Sequence, residues 1–219
     1  MAQGKRYKFQ GSTFQIGVGY GASKNITNVT QADPAVVSVA AHGYSEGAVV
    51  LVEEVPGMIE LNGNLYVVDD PASGTFELAG VDSTGYTAFV SGSPSGNVRA
   101  ITFSDFCELT GVNQQDGTAD EIEVTTICSN AKEFEVGLSD SGSLTLDFNL
   151  APNQTVQAFL RQAKADGTDV AFKVTFPGDG GSLIMLGNVQ ATSFQGSVNG
   201  VWTGSATIKL TGEIFVLAA

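Results

Sequence analysis

Apolar residues recur at every second position in many short runs of this chain, and at helical spacing in one. In "SLTLDFNL", Leu144, Leu146, Phe148 and Leu150 alternate with Thr145, Asp147 and Asn149, which predicts a strand with one face on a core and the other toward water or a partner. Comparable runs are "STFQIGVG", "RAITFSDFCELTG", "DEIEVTT", "KEFEVGL", "DVAFKVTFP", "SLIMLGNVQATSFQG" and "WTGSATIKLTGEIFV". Between them, "AVVSVA", "AVVLVEEV" and "LNGNLYVVDD" are β-branched stretches punctuated by turn residues such as Asn62 and Gly63, again the signature of short strands. The exception is "APNQTVQAFLRQAKADG". There Val156, Phe159, Leu160 and Ala163 follow i, i+3, i+4, i+7 spacing, with Asn153 as the predicted N-cap and Gly167 as the stop. The pattern predicts a mostly β chain with a single helix covering one open side of the sheets.

Composition agrees. The chain has 219 residues with 27 Gly, 6 Pro and 13 Phe and is only 15% charged, a balance that suits glycine-turned strands and is long enough for one large or two small cores. No apolar run approaches the ~20 residues of a membrane helix, and "MAQGKRYKFQGSTFQIG" lacks the apolar centre of a signal peptide. Assembly in the cytoplasm, without membrane contact, is the expectation. The sequons at Asn25, Asn28 and Asn153 would matter only in a secretory pathway.

Charge divides the chain more sharply than hydropathy does. The formal net charge is −13, and Asn25 to Val98 holds nine acids and no Lys or Arg. Such a break, edged by Lys24 and Arg99 and flanked by the flexible stretches "GVGYGASKN" and "SGSPSGN", predicts a small all-β module, residues 25–98, inserted into a discontinuous domain of residues 1–24 and 99–219.

Motifs that suggest chemistry are weaker than their simpler readings. "GYSEG" matches a nucleophile elbow around Ser45, but a strand rather than a helix follows it, and His42 lies only three residues away; a turn between strands is the better expectation. "GVGYG" lacks the full phosphate-loop pattern and is expected to be a flexible hairpin tip. The acids Asp116, Asp120, Glu121 and Glu123 lack the ligand spacing of a calcium loop. Cys107 and Cys128 show no metal or redox spacing and are expected to be free, partly buried thiols. Ten scattered bases make no nucleic-acid patch. The chain is therefore expected to be no enzyme and to need no cofactor or metal.

Taken in order, "GSTFQIG", "ITFSDFCELTGVN", "DEIEVTTICSNAKEFEVGLSDSGSLTLDFNL", "FKVTFPGDG" and "WTGSATIKLTGEI" resemble the tail tube (major tail) proteins of long-tailed bacteriophages. The resemblance implies a β-sandwich tube domain with one flanking helix, hexameric rings stacked into a tube, and genome DNA passing through without sequence-specific binding. It further implies a place in the virion tail with tape measure and tail terminator proteins as partners. In family terms, Asn113 to Lys132 would be the long loop that reaches from ring to ring. Its acids Asp116, Asp120, Glu121 and Glu123 would then meet the basic cluster Lys5, Arg6 and Lys8 of another subunit, where complementary charge fixes register. Asp147 is the candidate for an acidic lumen wall, which would leave DNA free to slide. The segment from "ITNVTQADPAVV" to "TGYTAFVSG" is similar to the first catalytic cysteine half-domain of ubiquitin-activating enzymes. With no cysteine inside it, only that fold is implied, and a place on the tube exterior is expected. The alternative is a carbohydrate- or cell-surface-binding adhesin using Tyr44, Tyr66, Tyr86 or Trp202 as stacking platforms.

Overall fold

The computed structural model describes residues 6–92 and 95–218. Its first half contains β1 (Thr13–Tyr20), β2 (Lys24–Asn25), β3 (Asn28–Val29), β4 (Ala35–Ser38), β5 (Val49–Glu53), β6 (Asn64–Asp69), β7 (Thr75–Leu78) and β8 (Asn97–Asp105). Its second half contains β9 (Leu109–Gln115), β10 (Ala119–Glu123), β11 (Phe134–Ser139), β12 (Ser143–Asn149), α1 (Thr155–Asp166), β13 (Asp169–Thr175), β14 (Ser182–Gln195), β15 (Thr203–Leu210) and β16 (Phe215–Leu217). The mostly β expectation with a single helix holds among the described residues.

One antiparallel path runs β3-β4-β7-β6-β5-β8-β1-β13-β14-β15-β12-β9, while β10 and β11 pair only with each other. Alternation sorts its side chains into layers. Leu144, Leu146 and Phe148 of β12, Ala206 and Ile208 of β15, Phe172 of β13 and Ile16 of β1 share one core, which α1 closes with Val156, Leu160 and Ala163. Residues of 26–98 build a second core around Val37, Val52, Met58, Phe76 and Leu78. A third cluster joins the two. Val49, Leu51, Leu65 and Val67 of β5 and β6 pack on Ala171 and Ile184, on the reverse side of β13 and β14. β8 runs through both regions, pairing with β5 through Asn97–Ala100 and with β1 through Ile101–Asp105. Lys24 and Val98 are paired neighbours, so segment 25–98 leaves and rejoins the rest at one point.

Several local expectations change. "GVGYG" is no hairpin tip: it belongs to β1 and its end, with a register shift between Gly17 and Gly19. A Cβ on Gly17 would lie 2.4 Å from Ile101 Cγ2, so glycine serves close strand packing rather than flexibility. "RAITFSDFCELTG" forms two strands, because the chain crosses at Phe106–Glu108 from pairing with β1 to pairing with β12. "WTGSATIKLTGEIFV" likewise divides into β15 and β16. At α1 the N-cap position is Gln154, with no side-chain cap, rather than Asn153. The buried Gln157 side chain instead accepts from Ala151 N–H and donates to Asn149 C=O, satisfying the entry turn. Gly167 does end the helix, in left-handed conformation with φ 65° and its N–H on Ala163 C=O, as a C-terminal glycine should.

Candidate functional site

Three surfaces of the described residues stand out: a polar sheet face, a projecting arm and a groove. The sheet face belongs to β9, β12, β15 and the end of β14. With Leu144, Leu146 and Phe148 turned into the core, the opposite face presents Thr145, Asp147 and Asn149, beside Asn113 and Gly111 on β9 and Thr207, Ser205 and Thr203 on β15. Ala191, Ser193 and Gln195 of β14 extend it. Hydroxyls and amides dominate. Asp147 is exposed, while Lys209, opposite Ser143 at the other end of β12, is ion-paired to Asp140. Both flanks of this sheet are open among the described residues. β9 ends the strand path, and Ala191–Gln195 pair with β15 alone.

The proposed long loop is corrected. Asn113 lies inside β9, and the projecting part is a β hairpin formed by β10 and β11 whose turn spans 124–133. Phe134 and Val136 stand opposite Glu123 and Glu121, so two carboxylates and two apolar side chains share one face. Exposure is extreme for apolar groups: Val136 is 81% exposed, Leu138 87% and Ile127 104%. The arm's root is tied down where Lys209 bonds Asp140, whose carboxylate also accepts from Gly142 N–H. That ion pair, and then the Gly142 bond, hold the Asp140 carboxyl below the usual aspartate range.

A groove of about 560 Å³ lies beside the arm's base, lined by Tyr7, Phe9, Phe106, Leu109, Val112 and Met185, with Lys8 and Cys107 among its polar lining. Elsewhere, the Phe194 and Trp202 rings lie 6.2 Å apart and tilted by 54° at the exposed β14–β15 tip.

The predicted contact residues are distributed over these surfaces. Lys5 lies outside the described residues. Arg6 and Lys8 are exposed, and neither side chain has a partner among the described residues. Asp116 accepts from Gln114 Nε2, and Glu123 is paired with Lys132 of the same hairpin at 3.2 Å. Asp120 and Glu121 are exposed and without partners among the described residues. The structure therefore leaves those two acids, and not Glu123, free for an external cation. The apolar arm face escaped the sequence reading, because alternation in "KEFEVGL" predicts a strand without saying whether anything covers it.

Two further expectations are corrected, and one holds. Both cysteines are exposed, not partly buried. Tyr44, Tyr66 and Tyr86 pack against the core of segment 26–98, which leaves Trp202, 58% exposed, as the one open platform of the four. His42 is buried, with Nε2 donating to Ala72 C=O and Nδ1 accepting from Tyr44 N–H. Both ring nitrogens are thereby committed to backbone, and Ser45 sits in the turn expected.

A model of a phage tail tube protein family matches residues 56–219. A curated relative, "Structural protein 3" of Pseudomonas phage PAJU2, is 26% identical over 126 residues, covering 48% of this chain and 77% of the relative. Among solved structures, the tail of an empty GTA particle with C6 symmetry is similar at 20% identity and TM-score 0.43, covering 53% of this chain and 87% of that one. The SPP1 tail tube is similar at 12% identity and TM-score 0.41, covering 54% and 69%.

Proposed function

The chain belongs to the phage tail tube protein family and is a structural protein of the phage tail, and on that premise we propose that its copies close into hexameric rings that stack into a conduit for genome DNA. One observation carries this reading: the four-stranded sheet β9-β12-β15-β14 has a polar open face and, among the described residues, two unpaired edges, β9 and the Ala191–Gln195 end of β14. Unpaired edges are templates for pairing with another chain. When the two edges of one subunit meet different edges of its neighbours, the contact is heterologous, and it closes into a ring if the rotation allows. Closure would gather the polar faces into one wall. Hydroxyls, amides and Asp147 offer no run of cations to neutralise phosphates, so such a wall lets DNA pass rather than hold it.

The insert, residues 25–98, would then face outward from the discontinuous tube domain, a reading supported by the packing of its Val49, Leu51, Leu65 and Val67 on Ala171 and Ile184 rather than on the polar strands β9, β12 and β15. Rings would stack with the arm reaching a neighbouring ring, Asp120 and Glu121 meeting Lys5, Arg6 and Lys8. The tube would be assembled in the host cytoplasm with tape measure and tail terminator proteins, and would serve without catalysis. Electron microscopy of the purified protein tests the proposal. Stacked six-fold rings are expected, and a population of monomers at every concentration would refute it.

A further inference from the structure

From the pairing of an uncovered apolar hairpin with an apolar groove of opposite rim charge, we infer that the groove lined by Tyr7, Phe9, Phe106, Leu109 and Met185 is the receptor for the β10–β11 arm of a second copy of this chain. The inference rests on the reading of the chain as a tube subunit, and it names where the arm ends. Phe134, Val136 and Leu138 are 52%, 81% and 87% exposed, an apolar content that a strand face carries at a cost unless something covers it. The groove, about 560 Å³ and lined by Phe106, Leu109 and Met185 at the edge of the first core, has the size and lining of a site that accepts large apolar side chains. Charge selects the orientation. Glu121, without a partner among the described residues, lies on the same arm face as Val136 and Phe134, while Lys8 lies at the groove and Arg6 just before it. Asp105, the acid of the groove, already accepts from Gln15 Nε2 at 2.8 Å, so it is partly spent as a repelling charge. Apolar contact supplies affinity, and the charges set register.

Cys107 is exposed and lines the groove, so it reports occupancy in the full-length protein once Cys128→Ser leaves it as the single thiol. Its alkylation rate is compared between dispersed subunits and assembled tubes. At least a tenfold slower reaction in tubes is expected, and Val136→Cys in the same background should be joined to Cys107 of another copy by a short bis-maleimide. Val136→Asp should raise the assembly threshold at least tenfold while leaving the subunit's Tm unchanged, since this side chain is uncovered in the subunit. Tubes in which Cys107 reacts as fast as in free subunits, or no intersubunit link, would overturn the receptor while leaving the tube reading intact. Slow reaction already in dispersed subunits would overturn it in favour of residues 1–5 as occupant. Absence of any tube would remove both readings.

Discussion

Excising the insert should expose Ile184, and the energetic signature can be stated in advance. Ile184 is 1% exposed and belongs to the cluster formed with Val49, Leu51, Leu65 and Val67. A Cβ built on Gly47 would lie 3.1 Å from its Cδ1, so the insert touches it directly. Ile184→Ala in the full chain should cost about 2–5 kcal/mol, the usual price of removing a buried branched side chain and leaving a cavity. For a chain of this size a loss of about 3 kcal/mol lowers Tm by about 6–12 °C. Because Asn25 and Asn97 are paired strand neighbours, residues 26–96 can be replaced by an Asn-Gly turn without moving the joint. In that shortened chain Ile184 loses Val49, Leu51, Leu65 and Val67 but keeps Ala171 and Phe215, so the same substitution should cost less by about 1 kcal/mol or more. Urea and thermal unfolding measure both differences. A Leu51→Ala, Ile184→Ala double-mutant cycle in the full chain provides an independent check, with a coupling of about 0.5–3 kcal/mol expected for residues in contact. Equal losses in the two chains, together with no coupling to Leu51, would refute the claim that the insert covers this face.

The proposed ionic contact predicts that Lys5→Glu with Arg6→Glu weakens tube formation, and that Asp120→Lys with Glu121→Lys restores it. Each exposed pair contributes ~0–1 kcal/mol and is screened by salt, so the wild-type assembly threshold should rise with ionic strength, and normal polymerisation of the Lys5→Glu, Arg6→Glu variant at low salt would count against the pairing. The arm's root should loosen in acid. A carboxyl held below its ordinary range stabilises the folded state above that range and loses the contribution as pH falls through the folded value. Proteolysis of the arm should therefore accelerate below about pH 4, and Asp140→Asn should be susceptible at all pH values with a flatter profile.

Much of this architecture was legible because it is local. Two-residue alternation around Leu144, Leu146 and Phe148 is sufficient to define β12 and which of its faces enters the core, since strand geometry leaves no other assignment. Helical spacing from Val156 to Ala163 and the stop at Gly167 define α1 in the same way. The ordered strand runs carried the resemblance to tail tube proteins, and the family match covers residues 56–219. Asparagine at position 153 misled because the entry turn is satisfied by Gln157, a residue that enters only after the helix has formed.

What the sequence could not decide is whatever depends on the neighbour across a gap. "RAITFSDFCELTG" is one continuous apolar pattern, and only pairing with two different strands, β1 and β12, divides it at Phe106–Glu108. The charge break at Lys24 and Arg99 marks the insert but conceals the cluster that joins it to Ala171 and Ile184, because nonpolar contact leaves no charge signal. "KEFEVGL" has the alternation of a half-buried strand, yet the arm stands clear of the rest of the chain. Local pattern sets the direction in which each side chain points, and burial depends on what else arrives there, which for Phe134 and Val136 is only their own hairpin among the described residues of one subunit.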